Sequence, residues 1–271
     1  MLRALWTAAS GMTSQQTNID TISNNLANIN TTGFKKESAE FKTLLYQTIQ
    51  EQSYDNNGNP KPYGIQVGLG VKNSAIASSY TQGPMLETGN NLDLAIDGKG
   101  FFMVRTSDGG IAYTRNGSFQ LANGTAGLTL ATSDGNPVLD INGEPIILDS
   151  TYKISDITID ENGYLNYPDT EGNPETLGIQ LGLVQFNNPS GLQKLANSLL
   201  TETDASGAAR FETADTSLIP SKISSKHLEG SNVQAVDEMV NLIVAQRAYE
   251  MNSKVISAAD EMLQQANNLR S

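Results

Sequence analysis

Apolar residues recur every seven positions at both ends of the chain. Near the start Leu5, Met12, Ile19 and Leu26 hold one register, with Ala8, Gln15, Ile22 and Ile29 three residues behind each. Near the end Leu242, Tyr249, Ile256 and Leu263 repeat it, with Ala245, Asn252, Ala259 and Ala266 offset in the same way. Steps of three and four residues return to one side of an α-helix, so each end predicts a helix with an a/d seam suited to pairing. The C-terminal helix carries a second apolar stripe through Val236, Val240, Ile243, Met251, Val255 and Met262. One helical partner cannot cover both stripes, and a large exposed apolar surface marks an interaction site. The most economical further partner is another copy of the same chain.

Between residues 4 and 34 the only charged side chain is Asp20, while Gln15, Gln16, Asn18, Asn24, Asn25, Asn28 and Asn30 fill polar positions. Without Glu/Lys pairs one turn apart, and with Gly11 inside it, such a helix is marginal alone and needs neighbours. An uncharged amide surface also suits side-by-side packing of identical copies. Gly33, after Thr31 and Thr32, is placed for the left-handed conformation that ends a helix. At the other end Ser231 or Asn232 is the predicted cap of a helix running to Leu269, about 55 to 60 Å long.

Residues 34 to 50 continue as a weaker amphipathic stretch through Phe41, Leu44, Leu45 and Ile49, read as a linking helix. Residues 50 to 70, with Asn57-Gly58, Pro60 and Pro62, read as an irregular or hairpin-forming arm. Short alternating or apolar runs then fill residues 92 to 186, such as Leu92/Leu94/Ile96, Ile157/Ile159 and Ile179/Leu181/Leu183. They are punctuated by Asn-Gly at Asn116, Asn123, Asn142 and Asn162 and by Asp-Gly at Asp97, Asp108 and Asp134. Those dipeptides supply the positive φ angles of tight hairpins, so a compact antiparallel β domain is expected, a sandwich or irregular barrel. Residues 187 to 231 read as a polar return, with a short helix at residues 191 to 200.

Composition narrows the function. The 271 residues carry a net charge of −12 and include no cysteine. An acidic chain without a Lys/Arg cluster is a poor fit to nucleic acid or to an anionic membrane, and disulfides, thiolate zinc sites and thiol catalysis are excluded. Arg3 is the only early positive charge, and Thr7, Ser10 and Gly11 break the early apolar groups. The chain is therefore expected to be cytoplasmic, or exported without a cleaved signal peptide, with no membrane insertion.

The candidate chemistry is thin. Gly98-Lys99-Gly100 has Met103 where a dinucleotide fingerprint needs its third glycine, so a turn entering a strand is the reading. His227 is the only histidine, and it reads as a solvated loop residue. Asp169, Glu171 and Asn173 alternate like calcium ligands, yet Pro174 stands where such a loop needs glycine. The carboxylate pairs Asp93 with Asp97 and Asp160 with Glu161 point to no pocket. Asn116-Gly117-Ser118 and Asn123-Gly124-Thr125 match a glycosylation pattern that hairpin turns explain equally well. Catalytic, cofactor-binding and metal residues are expected to be none.

The termini also carry a resemblance. Ser23-Asn24-Asn25-Leu26-Ala27-Asn28 followed by Thr31-Thr32-Gly33-Phe34-Lys35 resembles the N-terminal signature of bacterial flagellar rod and hook proteins. Glu229-Gly230-Ser231-Asn232-Val233 and Gln246-Arg247-Ala248-Tyr249-Glu250-Met251-Asn252 resemble their C-terminal signature. Leu44-Leu45-Tyr46-Gln47, Val67-Gly68-Leu69-Gly70-Val71, Gly98-Lys99-Gly100-Phe101-Phe102 and Tyr113-Thr114-Arg115-Asn116-Gly117-Ser118-Phe119 are similar to the distal-rod branch, with a proximal rod or hook-type subunit as the alternative. The resemblance implies a non-enzymatic subunit, exported through the flagellar type III apparatus and polymerised with itself into a hollow shaft in the basal body. Its implied partners are other rod proteins, hook subunits, the export apparatus and bushing-ring proteins. A secreted adhesin with a ligand-binding β domain is the reading from another class.

The expected architecture is α+β and multi-domain. Residues 1–33 and 231–271 pair as a coiled-coil-like helical domain, residues 34–90 form the linking helix and arm, residues 91–190 the β-rich domain, and residues 191–230 the return. Leu5, Met12, Ile19, Leu26, Leu242, Tyr249, Ile256 and Leu263 are the expected assembly residues.

Overall fold

A computed structural model of the chain describes residues 2–50, 64–124, 127–149, 152–153, 156–168, 174–215 and 217–268. Two compact units divide the chain. The first takes Met1–Ala27, Glu37–Ser78 and Gln234–Ser271, and the second takes Asn28–Lys36 and Ser79–Val233.

The first unit contains both helices, α1 (Leu2–Ala27) and α2 (Ala235–Asn268), and four strands: β1 (Glu37–Thr43), β2 (Tyr46–Gln50), β3 (Ile65–Gly68) and β4 (Val71–Ser78). β1 pairs antiparallel with β4, and β2 with β3. The expected linking helix is therefore wrong: residues 37–43 and 46–50 are strands. The spacing of Phe41, Leu44, Leu45 and Ile49 fits a helix, but seven residues of β1 find backbone partners along β4, and that tertiary pairing overrides a weak local period. The Asn57-Gly58, Pro60 and Pro62 turn signals lie outside the described residues. Ser231 and Asn232 do not cap α2, which begins at Ala235. Asn232 is engaged elsewhere, and Ser231 Oγ accepts from the Val233 N–H at 3.3 Å. Asp237 and Glu238 in the first turn of α2 complement its positive dipole end.

The second unit is built from antiparallel sheets. Its six-stranded sheet runs Gln193–Lys194, Leu199–Thr201, Ile111–Thr114, Phe101–Arg105, Leu183–Gln185, Arg210–Phe211. Residues 101 to 104 alternate between two cores: Phe101 and Met103 join Tyr113, Leu139, Val184 and Phe186, while Phe102 and Val104 join Leu94, Phe119, Leu130 and Ile157. A strand buried on both faces explains the unbroken apolar run Phe-Phe-Met-Val. Edge-to-face ring pairs lock one core, Phe101 with Phe186 at 5.7 Å and Phe186 with Tyr113 at 4.9 Å.

Four loops use one device. In the loop after Thr106, the Thr106 N–H donates to Gly110 O and the Gly109 N–H returns to Thr106 O, both at 2.9 Å. The same pair of bonds closes the loops after Thr132, Asp140 and Asp160. This is the three-residue hairpin, a type I turn followed by a glycine at positive φ, here 83° at Gly109 and 78° at Gly143. Two other Asn-Gly pairs do not make hairpin turns. Asn123-Gly124 ends a strand, and Asn116 caps a local turn by accepting the Ser118 N–H at 3.1 Å. Gly117 is needed for space, since a Cβ there would meet Leu94 O at 1.7 Å.

The return also differs from expectation. The expected helix at residues 191 to 200 is replaced by a single 3-10 turn at Pro189–Gly191 and the short strands at 193–194 and 199–201. Lys222–Ser225 pairs with Leu94–Asp97, and His227–Glu229 with Met85–Glu87. His227 is accordingly half-buried in a strand, its Nδ1 2.8 Å from Ser225 O, rather than loose in a loop.

Burial pushes the Tyr113 phenol up to about 12, helped by the Glu202 carboxylate 3.5 Å away. The folded state thus keeps a proton that the unfolded chain has lost. This contribution to stability is complete below pH 10 and is lost as pH rises through 10 toward 12. Absorbance titration of the nine tyrosines should show one late ionisation that Tyr113→Phe removes and Glu202→Gln moves down. An unchanged late phase in Tyr113→Phe would refute the assignment.

Candidate assembly surface

In the first unit α1 and α2 pack antiparallel. Asn25, late in α1, donates from Nδ2 to Glu238 Oε2, early in α2, at 3.1 Å. Gly11, early in α1, faces Asn252, whose Nδ2 would lie 2.9 Å from a Cβ at residue 11. Both contacts fit one register, because equal steps back along α1 match equal steps forward along α2. Glycine at 11 is what lets the Asn252 amide lie against the α1 backbone.

The covered positions fall at steps of three and four. On α1 they include Ala8, Met12, Gln15, Ile19, Ile22 and Leu26; on α2, Glu238, Leu242, Ala245, Asn252, Ile256, Ala259 and Leu263. Ala8, Ile22, Ala245 and Ala259 are buried, while Leu5, Met12, Ile19, Leu26, Leu242, Ile256 and Leu263 are half-buried and Tyr249 is exposed. α1 also buries Ser14, Thr21 and Asn25, on the side where it packs on β1 and β4. Thr21 Oγ1 satisfies itself by donating to Thr17 O at 2.8 Å.

Asn25 does more than bridge the helices. Its Nδ2 donates to Glu37 O at 2.8 Å and its Oδ1 accepts the Glu37 N–H at 2.9 Å, so the amide pairs with β1 as another strand would. One fully buried side chain thereby joins α1, β1 and α2.

The second stripe on α2 is bare. Val236, Val240, Ile243, Val244, Met251, Val255 and Met262 are each at least 46% exposed. Trp6, the only tryptophan, is 75% exposed on α1. Leu45, just before β2, and Tyr46, Ile49 and Ile65 on β2 and β3 are bare as well.

In the second unit a buried charge cluster gathers residues far apart in sequence. Glu229 Oε1 accepts from Lys35 Nζ at 2.6 Å and from the Gly83 N–H at 3.0 Å, and its Oε2 accepts from Arg115 Nη1 at 3.1 Å. Lys35 also donates to Thr81 O at 2.8 Å, and Arg115 to Gly98 O at 2.6 Å. The Arg115 guanidinium stands 5.1 Å from the centre of the Phe101 ring. Burial pulls both cations below their usual pKa, and Glu229 opposes the shift in each. Around them Asn232 Oδ1 accepts the Lys36 N–H at 2.6 Å while its Nδ2 reaches Ser79 O and Thr81 O, and Thr32 Oγ1 donates to Asn116 Oδ1 at 2.9 Å. Gly33, at φ 69°, donates its N–H to Glu229 O.

This cluster was not among the expected site residues. Its members sit inside the quoted motifs, and no spacing rule says that Lys35, Arg115 and Glu229 meet. Of the signature residues, Asn25 is buried, Leu26, Asn28, Gly33 and Phe34 are half-buried, and Asn24, Ala27, Gln246, Arg247 and Tyr249 are exposed. Arg247 pairs with Glu250 at 3.0 Å. Asp97, Asp160, Glu161, Lys222 and His227 line an open groove of about 470 Å³, where Lys222 is held by Glu161 at 2.9 Å. Asp169, Glu171 and Asn173 lie outside the described residues. Among those described, no three His, Asp or Glu side chains converge as metal ligands.

A helix pair packed along one side and bare along another leaves an apolar face for partners, as in a subunit of an assembly. Residues 5–35 match the family described as flagella basal body rod protein, residues 95–167 the D1 domain of the flagellar hook proteins FlgE/F/G, and residues 224–269 the C-terminal region of flagellar basal body rod FlgEFG proteins. The flagellar basal-body rod protein FlgG of Agrobacterium fabrum is 46% identical, over 96% of this chain and 97% of its own. That of Borreliella burgdorferi is 44% identical over 100% and 99%, and that of Bacillus subtilis 39% over the full length of both. The chain belongs to the flagellar basal-body rod protein family.

Proposed function

We propose that this chain is the distal-rod subunit, polymerising through its terminal helices into a hollow shaft that transmits torque and passes exported subunits. The exposed apolar stripe on α2 carries the reading, because a face of that size is left for other helices. The coiled-coil-like seam between α1 and α2 forms within one subunit, and the second stripe takes further copies. Other rod proteins and hook subunits meet the ends of the shaft, bushing-ring proteins surround it, and delivery is by the type III apparatus without a cleaved signal. The role is structural rather than enzymatic. Electron microscopy of concentrated purified protein tests this: hollow tubes are expected, and a persistent monomer in sedimentation at every concentration would overturn it.

The β2–β3 ladder stiffens contacts between copies, since Leu45, Tyr46, Ile49 and Ile65 have no core of their own. Deleting residues 46–68 should leave tubes that bend more readily in micrographs. Unchanged persistence length would count against this role.

A further inference from the structure

We infer that Trp6 is the anchor between neighbouring copies, docking on the Met251, Val255 and Met262 segment of the bare stripe on a second copy's α2. The inference rests on the polymerising role proposed above and assigns the residues that perform it. Trp6 is 75% exposed although it lies in a helix with a buried seam. Ala8 is buried in that seam, and Trp6, two residues earlier, stands about 160° away around the helix, on the opposite side. No pairing of α1 with its own α2 can therefore cover it.

The level of Trp6 along the helix pair follows from the internal register. Gly11 faces Asn252, so five residues back along α1 corresponds to five residues forward along α2, near Ser257. Val255 lies about 3 Å from that level and Met262 about 8 Å, at the usual rise of a helix. A second subunit set beside the first without axial shift, which is part of the inference, offers Trp6 a Val/Met surface, with Met251 one turn further along. Methionine suits such a contact, because its thioether adapts its shape and meets aromatic rings favourably. Tryptophan is the side chain most often found carrying binding energy at the centre of an interface. Charge raises no obstacle, since the outward side of α1 after Arg3 bears only Asp20. On the side of α1 away from α2 the subunit's own β4 reaches Ser10 and Thr17, and Trp6 stays bare beside that contact.

As the only tryptophan, Trp6 reports on its own site. Emission and iodide quenching of the full chain are to be compared between dilute monomer and sedimented polymer. A blue shift and a severalfold drop in the quenching constant are expected on polymerisation. Trp6→Ala should raise the critical concentration at least about tenfold. Met251→Gln with Val255→Asn, both exposed in the subunit, should do likewise while leaving monomer melting unchanged. Polymer in which Trp6 stays as quenchable as in monomer overturns this inference and leaves the polymerising role standing. Absence of polymer at every concentration overturns both. A blue shift with neutral phosphatidylcholine vesicles and none in polymer would assign Trp6 to a lipid surface and overturn the docking site.

Discussion

Glu229→Gln should cost about 3 to 5 kcal/mol, the penalty of leaving buried cations without their counter-charge. That is a large share of the roughly 5 to 15 kcal/mol that holds a typical protein folded. The carboxylate faces Lys35 on one oxygen and Arg115 on the other, and its side chain has no exposed surface. A glutamine can still accept the Gly83 N–H through its oxygen, but its NH2 group then points a donor at the Arg115 donors. Lys35→Met should cost much less. It removes one cation and leaves Arg115 and Glu229 balanced, and Thr81 O keeps a donor in Asn232 Nδ2 at 3.1 Å. Urea denaturation followed by tyrosine signals would rank the two. Equal losses, or the reverse order, would show that the cluster is not organised around the Glu229 charge.

The pH dependence of this cluster runs opposite to that of Tyr113. Lys35 has a lowered pKa in the folded state, from burial first. Below that lowered value the cost of burying its charge is fully present. Between it and 10.5 the unfolded chain holds more protons than the folded one, so stability rises with pH through that window. Lys35→Met should therefore steepen the alkaline loss of stability attributed to Tyr113.

The helices were legible in the sequence because their evidence is local. A seven-residue period needs no knowledge of what lies opposite, and the two stripes on α2 separate by angle alone: Leu242, Ile256 and Leu263 are partly covered while Val240, Ile243 and Val255 are bare. Asp108-Gly109, Asp134-Gly135, Asn142-Gly143 and Asn162-Gly163 were legible for the same reason, since a positive φ after an acidic or amide residue is local chemistry. Residues 37–50 were misread because their strands are decided by partners tens of residues away, β4 and β3. The short strands at 193–194, 199–201 and 222–229 are likewise chosen by the sheets they join. The charge cluster was the least legible. Lys35, Arg115 and Glu229 look like surface residues until the connection at residues 31–36 is threaded beside the strand at 227–229. The motifs quoted for the family resemblance then acquire a physical reason, with Thr32, Gly33, Lys35, Asn116, Glu229 and Asn232 holding one another.

Ile256→Asp should abolish polymerisation and leave the second unit folded. Ile256 is half-covered between Asn252 and Ala259 on the seam side of α2, opposite the Ala8 turn of α1 by the Gly11–Asn252 register. A carboxylate there has no cation in reach along α1, whose charges are limited to Arg3 and Asp20. It must stay hydrated by opening the seam or be buried at a cost of several kcal/mol. A companion variant separates the two faces of the helix. Ile243 is 57% exposed in the subunit, so Ile243→Asp should change folding by no more than about 0.5 kcal/mol and still prevent tubes. Helix content by circular dichroism should fall for Ile256→Asp and hold for Ile243→Asp, with the late Tyr113 ionisation intact in both. Tubes from Ile256→Asp would refute the seam as a requirement for assembly. Tubes from Ile243→Asp would place the contact between copies somewhere other than the bare stripe.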